Sequence, residues 1–172
     1  MEAIRSGTLV DRMIGAATLD DGTYEEIESD GGAATQAAMV VFLGIVAGGI
    51  GVALSGPIAF TLGIFFAVIG SVAYAYAAYW AATRWFKKPA AEIDRGELLR
   101  ILGFATSPLL LLILGLIPVL GAALTLVAYA WVLITTVVAI RHALDFDIRS
   151  ALGTAAAAWC VLFVVRFLFG VV

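Results

Sequence analysis

The sequence predicts an all-α membrane protein with five transmembrane helices and a cytoplasmic amphipathic helix at its N-terminus. Of its 172 residues, 63% are hydrophobic and only 13% are charged, and the mean hydropathy is +1.06. A soluble domain carries about 25% charged and roughly 50% apolar residues. Several apolar runs also reach the length of about 20 residues that a helix needs to cross a bilayer. Lipid is therefore expected to be the main solvent of this chain.

The first region, residues 1–34, is expected to lie outside the bilayer. Residues 4–17 are typical of an amphipathic helix, because apolar and polar residues fall on opposite sides at about 100° per residue. The apolar side holds Leu9, Val10, Met13, Ile14 and Ala17, and the polar side holds Arg5, Thr8, Asp11 and Arg12. Such a helix either lies on the membrane surface or packs against the ends of the bundle. Eight of the 13 acidic residues precede position 31, so the rest of this region is expected to be a solvated acidic linker.

The membrane domain is expected to cover residues 35–172. Its predicted spans are residues 35–54, 57–83, 98–117, 119–140 and 148–169. In the first span, Gly44 and Gly48 form a small-xxx-small pair, which lets helix backbones approach closely in lipid. These two glycines are therefore candidates for helix packing.

The end of the second span is rich in aromatic and basic residues. It carries Tyr79, Trp80, Trp85, Lys87 and Lys88. Aromatic residues in this position are typical of the belt at a membrane–water interface. The group either contacts lipid headgroups or anchors the helix at the interface, and the sequence leaves both interpretations open.

The positions of Lys and Arg predict the orientation of the chain. Two lie in the N-terminal segment, five in residues 84–100 and two in residues 141–150, whereas the two short turns at 55–57 and 118–121 carry none. With five spans, all three basic segments fall on one side, which the positive-inside rule assigns to the cytoplasm. The N-terminus is therefore expected inside and the C-terminus outside. Arg166, in the last span, either extends its side chain to the outer surface or has a buried role.

The third span carries a helix breaker, Pro108, directly after Thr106 and Ser107. Proline removes one backbone hydrogen bond and displaces the carbonyl of residue 104. Hydroxyl groups of Thr106 and Ser107 can bond carbonyls one turn back, which is one way that membrane helices tolerate proline. Gly103 would let another helix approach the bend. The kink either opens a cavity or hinge, or is a fixed bend that packing requires.

Candidate catalytic residues are scarce. His142 is the only histidine and Cys160 the only cysteine, and they are predicted at different depths, so a Cys–His pair is not expected. One of each cannot form a typical zinc site. The chain is therefore expected to be neither an enzyme nor a metal protein, and no cofactor is implied. No block is basic enough to indicate nucleic-acid binding.

The chain resembles the YIP1 family of five-span membrane proteins. Gly103, Phe104 and Pro108 match the Gly-aromatic-x-x-x-Pro pattern of the third span in that family. The resemblance continues through the LDDGTYEEI lead-in, Gln36, and a fourth span that is centred on Trp131. It implies the five-span architecture and no assigned catalytic activity. The eukaryotic branch binds small GTPases, but the cytoplasmic segment of that branch is missing, so the chain resembles the short prokaryotic branch.

Two functional hypotheses follow. The first is a non-enzymatic protein of the prokaryotic plasma membrane that organises the membrane or binds a partner protein through its cytoplasmic face. By family analogy that partner is a small GTPase. The sequence leaves open whether the protein forms a homo-oligomer. The second is a passive conduit, either a channel or a lipid scramblase. It would use the kinked third span with the hydroxyls of Thr135 and Thr136 and with Arg166. A wet cavity that reaches Pro108 would favour the conduit.

Overall fold

The computed structural model describes residues 7–51, 53, 56–86, 89, 93–117 and 119–168, and this part of the chain is helical apart from short turns. The α-helices are α1 (Leu9–Ala17), α2 (Asp21–Ser29), α3 (Ala33–Gly51), α4 (Pro57–Arg84), α5 (Arg95–Ala105), α6 (Leu120–Leu144) and α7 (Ile148–Leu168). A 3₁₀ segment, Ser107–Leu116, follows α5 directly. α3 begins at the same end of the bundle at which α4 and α6 end.

Four segments of the structure are long and apolar enough to cross a membrane. They are α3, α4, α6 and the pair of α5 with the 3₁₀ segment, Arg95–Leu116. This confirms the all-α membrane class. The apolar stretch of α7, Ile148–Val164, is shorter than these four, so the fifth crossing stays a prediction.

The 3₁₀ segment lies at the centre of one half of the bundle, between α3 and α6. Glycine allows the closest approach here. A methyl group on Gly115 would lie 3.2 Å from the Cα of Gly51, and one on Gly51 would collide with the carbonyl of Leu112. Gly44 and Gly48 face the same segment, since added methyl groups would lie 3.2 Å from Leu109 and 3.3 Å from Leu112.

The other half of the bundle is the pair of α4 and α7. Small residues form much of the interface, which is how helices approach closely in lipid. The buried small residues are Gly70, Ala77, Ala78, Ala81 and Ala82 on α4, and Ala151, Ala155 and Ala158 on α7.

The acidic part of the N-terminal region, which the sequence predicts to be a solvated linker, contains the helix α2. The two helices of the N-terminal region, α1 and α2, which we call the N-terminal helix pair, pack against α5 and α6, and α1 also contacts the 3₁₀ segment. Each helix has its own cap. Thr8 and Asp11 form a reciprocal capping box on α1, and the Asp20 carboxylate accepts from the Thr23 N–H at 2.9 Å. Acidic residues begin these helices because their carboxylates satisfy free backbone N–H groups.

The predicted polar face of α1 is wrong at one position. Arg12 is only 2% exposed, whereas the apolar Val10 and Ile14 are 59% and 58% exposed. Helical periodicity separates polar from apolar residues, but it does not reveal that a charged residue has partners inside the fold. α1 packs on the bundle, with Val10 and Ile14 pointing away from it, and its location on the membrane surface stays a prediction.

Candidate functional site

The motif of the third span marks the end of α5. Because Pro108 has no N–H, the carbonyl of Phe104 loses its usual donor. The Ser107 hydroxyl donates to that carbonyl at 2.6 Å, and the Thr106 hydroxyl donates to the Gly103 carbonyl at 2.6 Å. The chain does not resume an α-helix after the break, as a simple kink would, but continues as the 3₁₀ segment.

A hydroxyl from another helix takes the next free carbonyl. The N–H of Leu109 donates to the Thr106 carbonyl. In an α-helix it would donate to the Ala105 carbonyl instead. The Thr135 hydroxyl of α6 donates to the Ala105 carbonyl at 2.6 Å. Thr135 is fully buried, so this bond joins α6 to the break in a place that excludes water.

Thr136 joins α6 to α4 in the same layer. Its hydroxyl lies 2.6 Å from the Val132 carbonyl, to which it donates, and 2.6 Å from the Tyr74 hydroxyl. Tyr74 therefore donates to Thr136. Both threonines of the hypothetical polar path are thus engaged in hydrogen bonds inside the bundle.

The remaining motif residues pack the centre. A methyl group on Gly103 would lie 2.9 Å from the Cβ of Ala37, so this glycine allows α3 to approach α5. Phe104 is fully buried, and Ser107 and Pro108 are buried beside it. The motif therefore fixes a junction of α3, α5 and α6 through close packing and bonded carbonyls.

An ion-pair cluster around the buried Arg12 holds the N-terminal helix pair. The Arg12 guanidinium donates to Glu26 at 2.8 Å, to Asp30 at 2.6 Å and to the Gln36 amide oxygen at 3.0 Å. The hydrogen bond from Arg12 is the main reason that the pKa of Asp30 lies below its ordinary value, and the N–H of Gly32 adds to it. One arginine thus connects α1, α2 and the start of α3.

Three aromatic contacts attach the same helix pair to α6. Tyr24 is fully buried, donates to the Ala16 carbonyl at 3.0 Å and stacks on the His142 ring at 5.2 Å. Burial raises the pKa of Tyr24 far above its ordinary value. His142 in turn lies 3.0 Å from the Asp21 carboxylate. The Trp131 indole donates to the Ala17 carbonyl at 2.7 Å, which satisfies a free group at the end of α1.

The aromatic group at the end of α4 is only partly exposed. The Trp80 and Trp85 rings contact each other edge to face at 5.4 Å, and both are exposed. Tyr79 accepts a hydrogen bond from Arg95 at 3.1 Å, and that guanidinium lies 4.8 Å from the ring centroid of Tyr79. Lys87 and Lys88 lie outside the described residues, so headgroup contact stays a prediction.

Two apolar grooves are present on the outside of the bundle. One, of about 340 Å³, lies between α4 and α7 and is lined by Trp80, Trp85 and small residues that include Cys160. The other, of about 320 Å³, is lined by Leu19, Val127, Ala130, Trp131 and Ile134. Neither groove is lined by Pro108 or by a hydroxyl-bearing residue. The side chain of Arg166 lies outside the described residues. Among the described residues, no three His, Cys, Asp or Glu side chains are grouped to hold a metal ion.

The sequence did not predict the ion-pair cluster or the role of Trp131. One signal for the cluster was available. Glu26 and Asp30 are four residues apart, so they lie on one face of a helix, and Arg12 is the only basic residue between positions 8 and 30. A single cation among seven carboxylates was a candidate for burial between them.

The fold and these contacts define a class, an all-helical membrane protein whose N-terminal helices are fixed to its bundle. The model of the Yip1 domain matches residues 20–169. The chain therefore belongs to the Yip1 family, as its Gly-Phe-x-x-x-Pro motif predicts, and this family is not known for an enzymatic activity. Neither a curated protein nor a solved structure matches the chain.

Proposed function

We propose that this protein binds a partner protein at the membrane surface through its N-terminal helix pair and thereby organises the membrane around it. The observation that carries the proposal is the ion-pair cluster. Because Arg12 fixes both helices to the bundle, their outer surface has a defined shape rather than that of a mobile tail. A fixed surface is what specific recognition requires, since little conformational entropy is then lost on binding.

The charge of this surface indicates the chemistry of the partner. The exposed acidic residues of the helix pair are Asp11, Asp20, Asp21 and Glu25, whereas its only basic residue, Arg12, is buried. Complementary charge speeds association and selects partners. A partner with a basic contact surface is therefore the best fit. A small GTPase is the class that the family likeness suggests, and the plasma membrane of a prokaryote, with the N-terminus in the cytoplasm, is the proposed location.

Photo-crosslinking in native membranes tests this proposal. A photo-reactive amino acid at Glu25, which is exposed on α2, is expected to give protein adducts that decrease at high salt, because salt screens exposed charges. The matched control is Val119, which is exposed at the opposite end of the bundle. Equal adducts from both positions, or adducts with lipid alone from Glu25, would contradict partner binding.

The orientation has a separate test. A single cysteine at Glu25, in a Cys160→Ala background, is expected to react with a membrane-impermeant maleimide only after the cells are opened. A single cysteine at Val119 is expected to react in intact cells. The reverse pattern would overturn the proposed location of the N-terminus.

Within the described residues, the contacts of the third span do not support the conduit. The hydroxyls of Thr106, Ser107, Thr135 and Thr136 each donate to a carbonyl within the bundle. Ser107 and Pro108 are buried, and the two grooves described above lie elsewhere. These groups are used to repair the broken span and to join helices.

A further inference from the structure

The groove between α4 and α7 is apolar and lies on the outside of the bundle. Its volume of about 340 Å³ is within the range of about 300–1,000 Å³ that ligand-binding pockets have. The end of α4 contributes Trp80 and Trp85, whose side chains are both exposed. From α7 come mostly small residues, which are Gly153, Ala156, Ala157 and Cys160. Small side chains beside large ones leave a space that a linear apolar group would fill.

The groove runs along two antiparallel helices. An added methyl group on Gly70 would lie 2.9 Å from Leu162, whereas one on Gly153 would collide with the Phe86 ring. The end of α4 therefore lies beside the start of α7. On α7 the groove extends from Gly153 to Val161, about 12 Å at about 1.5 Å per residue. One leaflet contributes about 15 Å of hydrocarbon, half of the bilayer core, so the groove fits within a single leaflet.

Two exposed arginines follow the walls of the groove at this end. Arg84 is four residues beyond Trp80 on α4, and Arg149 is four residues before Gly153 on α7. Residues four apart lie on one face of a helix, so both arginines lie on the faces that line the groove, one turn beyond it. Within the described residues, neither guanidinium forms an ion pair. The nearby Asp147 carboxylate accepts from the backbone N–H of Arg149 at 3.2 Å.

The charges fix the level of the groove in the membrane. A charged group is not stable in hydrocarbon, so Arg84 and Arg149 must lie among the headgroups. Trp80 and Trp85 then lie at the membrane–water interface, where tryptophan is enriched, and the rest of the groove lies in the hydrocarbon of that leaflet. The headgroup component that a guanidinium binds best is phosphate, because its planar N–H groups can form two parallel hydrogen bonds.

We propose that the α4–α7 groove binds one anionic phospholipid, with an acyl chain along the groove and the phosphate between Arg84 and Arg149. A net negative headgroup fits better than a zwitterionic one, since a choline group would lie beside two cations. The inference goes beyond the proposed function, because this site is separate from the N-terminal helix pair and needs no partner protein.

A second copy of the chain fits the groove less well than a lipid. A two-fold dimer brings the same patch of both copies face to face. Contact through the groove would therefore bring the exposed Arg84 and Arg149 of one copy close to those of the other, and like charges in an interface are unfavourable.

Native mass spectrometry of the purified chain in detergent tests the headgroup contact. The protein is titrated with phosphatidylglycerol or with phosphatidylcholine of the same acyl chains, and phosphatidylglycerol is expected to bind several-fold more tightly. Arg84→Gln and Arg149→Gln should each weaken its binding about fivefold. Arg141→Gln is the control of equal charge, since Arg141 is exposed at the end of α6. Equal binding of the two lipids, or equal effects of all three variants, would overturn the proposal.

A pair of leucine variants tests the acyl-chain contact in the same assay. Ala156→Leu fills the groove and should weaken phosphatidylglycerol binding several-fold. Ala130→Leu is the control, because Ala130 is also exposed and lines the other groove. Equal binding to these two variants would overturn the placement of the lipid. A dimer of the unmodified chain that Ala156→Leu abolishes would also overturn it, because a second copy would then occupy the groove.

Discussion

The N-terminal helix pair and the α4–α7 pair are held in place by different forces. The N-terminal helix pair is attached by an ion-pair cluster around Arg12 and by the side chains of Tyr24 and Trp131. The α4–α7 pair is packed largely from alanine and glycine, as at Gly70, where an added methyl group would lie 2.9 Å from Leu162. The contrast follows the solvent, because lipid favours close packing of small residues whereas the membrane surface permits charge.

This difference has a consequence for function. Helices in lipid that pack through small residues form a stable platform, and their contacts do not respond to pH. Contacts through charged groups are directional, and they are sensitive to pH and to salt. The molecule therefore combines a membrane domain packed largely through small residues with an N-terminal unit whose attachment can be tested group by group.

The largest expected effect is that of Arg12→Ala. The substitution leaves Glu26 and Asp30 without their cation. Because both carboxylates are partly exposed, we expect a loss of about 3 kcal/mol in unfolding free energy, the low end of the range for breaking a buried pair. Thermal unfolding in detergent should show this loss. Glu25→Ala, on the exposed side of α2, is the control and should change stability by about 0.5 kcal/mol or less. Equal effects of the two variants would mean that the cluster contributes nothing to attachment.

Gly103→Ala tests the packing of α3 against α5. The new methyl group would lie 2.9 Å from the Cβ of Ala37 and 3.2 Å from its carbonyl oxygen. Because the backbone must shift, we expect a loss of about 2 kcal/mol in unfolding free energy. Gly31→Ala is the matched control, since nothing lies within 4 Å of its added methyl group. A neutral Gly103→Ala would show that the two helices can separate at low cost.

Thr135→Val should have a smaller effect. It keeps the shape of the side chain but leaves the Ala105 carbonyl without a donor, at a cost of about 1 kcal/mol in a membrane helix bundle. Thr61→Val is the control, because the Thr61 hydroxyl is exposed and bonds only its own helix at the Pro57 carbonyl. Equal unfolding temperatures of the two valine variants would contradict a role of Thr135 in stabilising the break of the third span.

The smallest effect is the acid sensitivity of the N-terminal helix pair. The pKa of Asp30 is lowered from 3.8, chiefly by its hydrogen bond with Arg12. Its stabilising contribution is therefore complete above about pH 3.8 and is lost as the pH falls through the lower value in the folded state. Hydrogen exchange of α1 amides should rise in this acid range. Asp30→Asn should reduce that rise, and an unchanged profile would argue against the assignment.

Much of the fold could be predicted from the sequence, for physical reasons. Apolar composition and length predicted the membrane class, and four crossing segments have the required length and apolarity. Proline predicted the break at Pro108, because the loss of an N–H is a local property. The 3₁₀ segment was not predicted. Its geometry depends on α3 and α6 on either side, and a single helix carries no signal for that.

The candidate site was harder to predict, because its bonds are long-range. Thr135 is 30 residues from Ala105, and Trp131 is 114 residues from Ala17. Neither pairing produces a periodic pattern. Arg12 was placed on the solvent side because helical periodicity measures polarity, and polarity does not distinguish a solvated charge from a paired one.

Hydrogen–deuterium exchange in vesicles tests the central claim, that the N-terminal helix pair is a fixed part of the membrane domain. The amides of Leu9–Ala17 should be protected to a degree that approaches that of α6, and Arg12→Ala should remove this protection while α4 is unchanged. Exchange of these amides at the rate of a free peptide in the unmodified protein would contradict the claim.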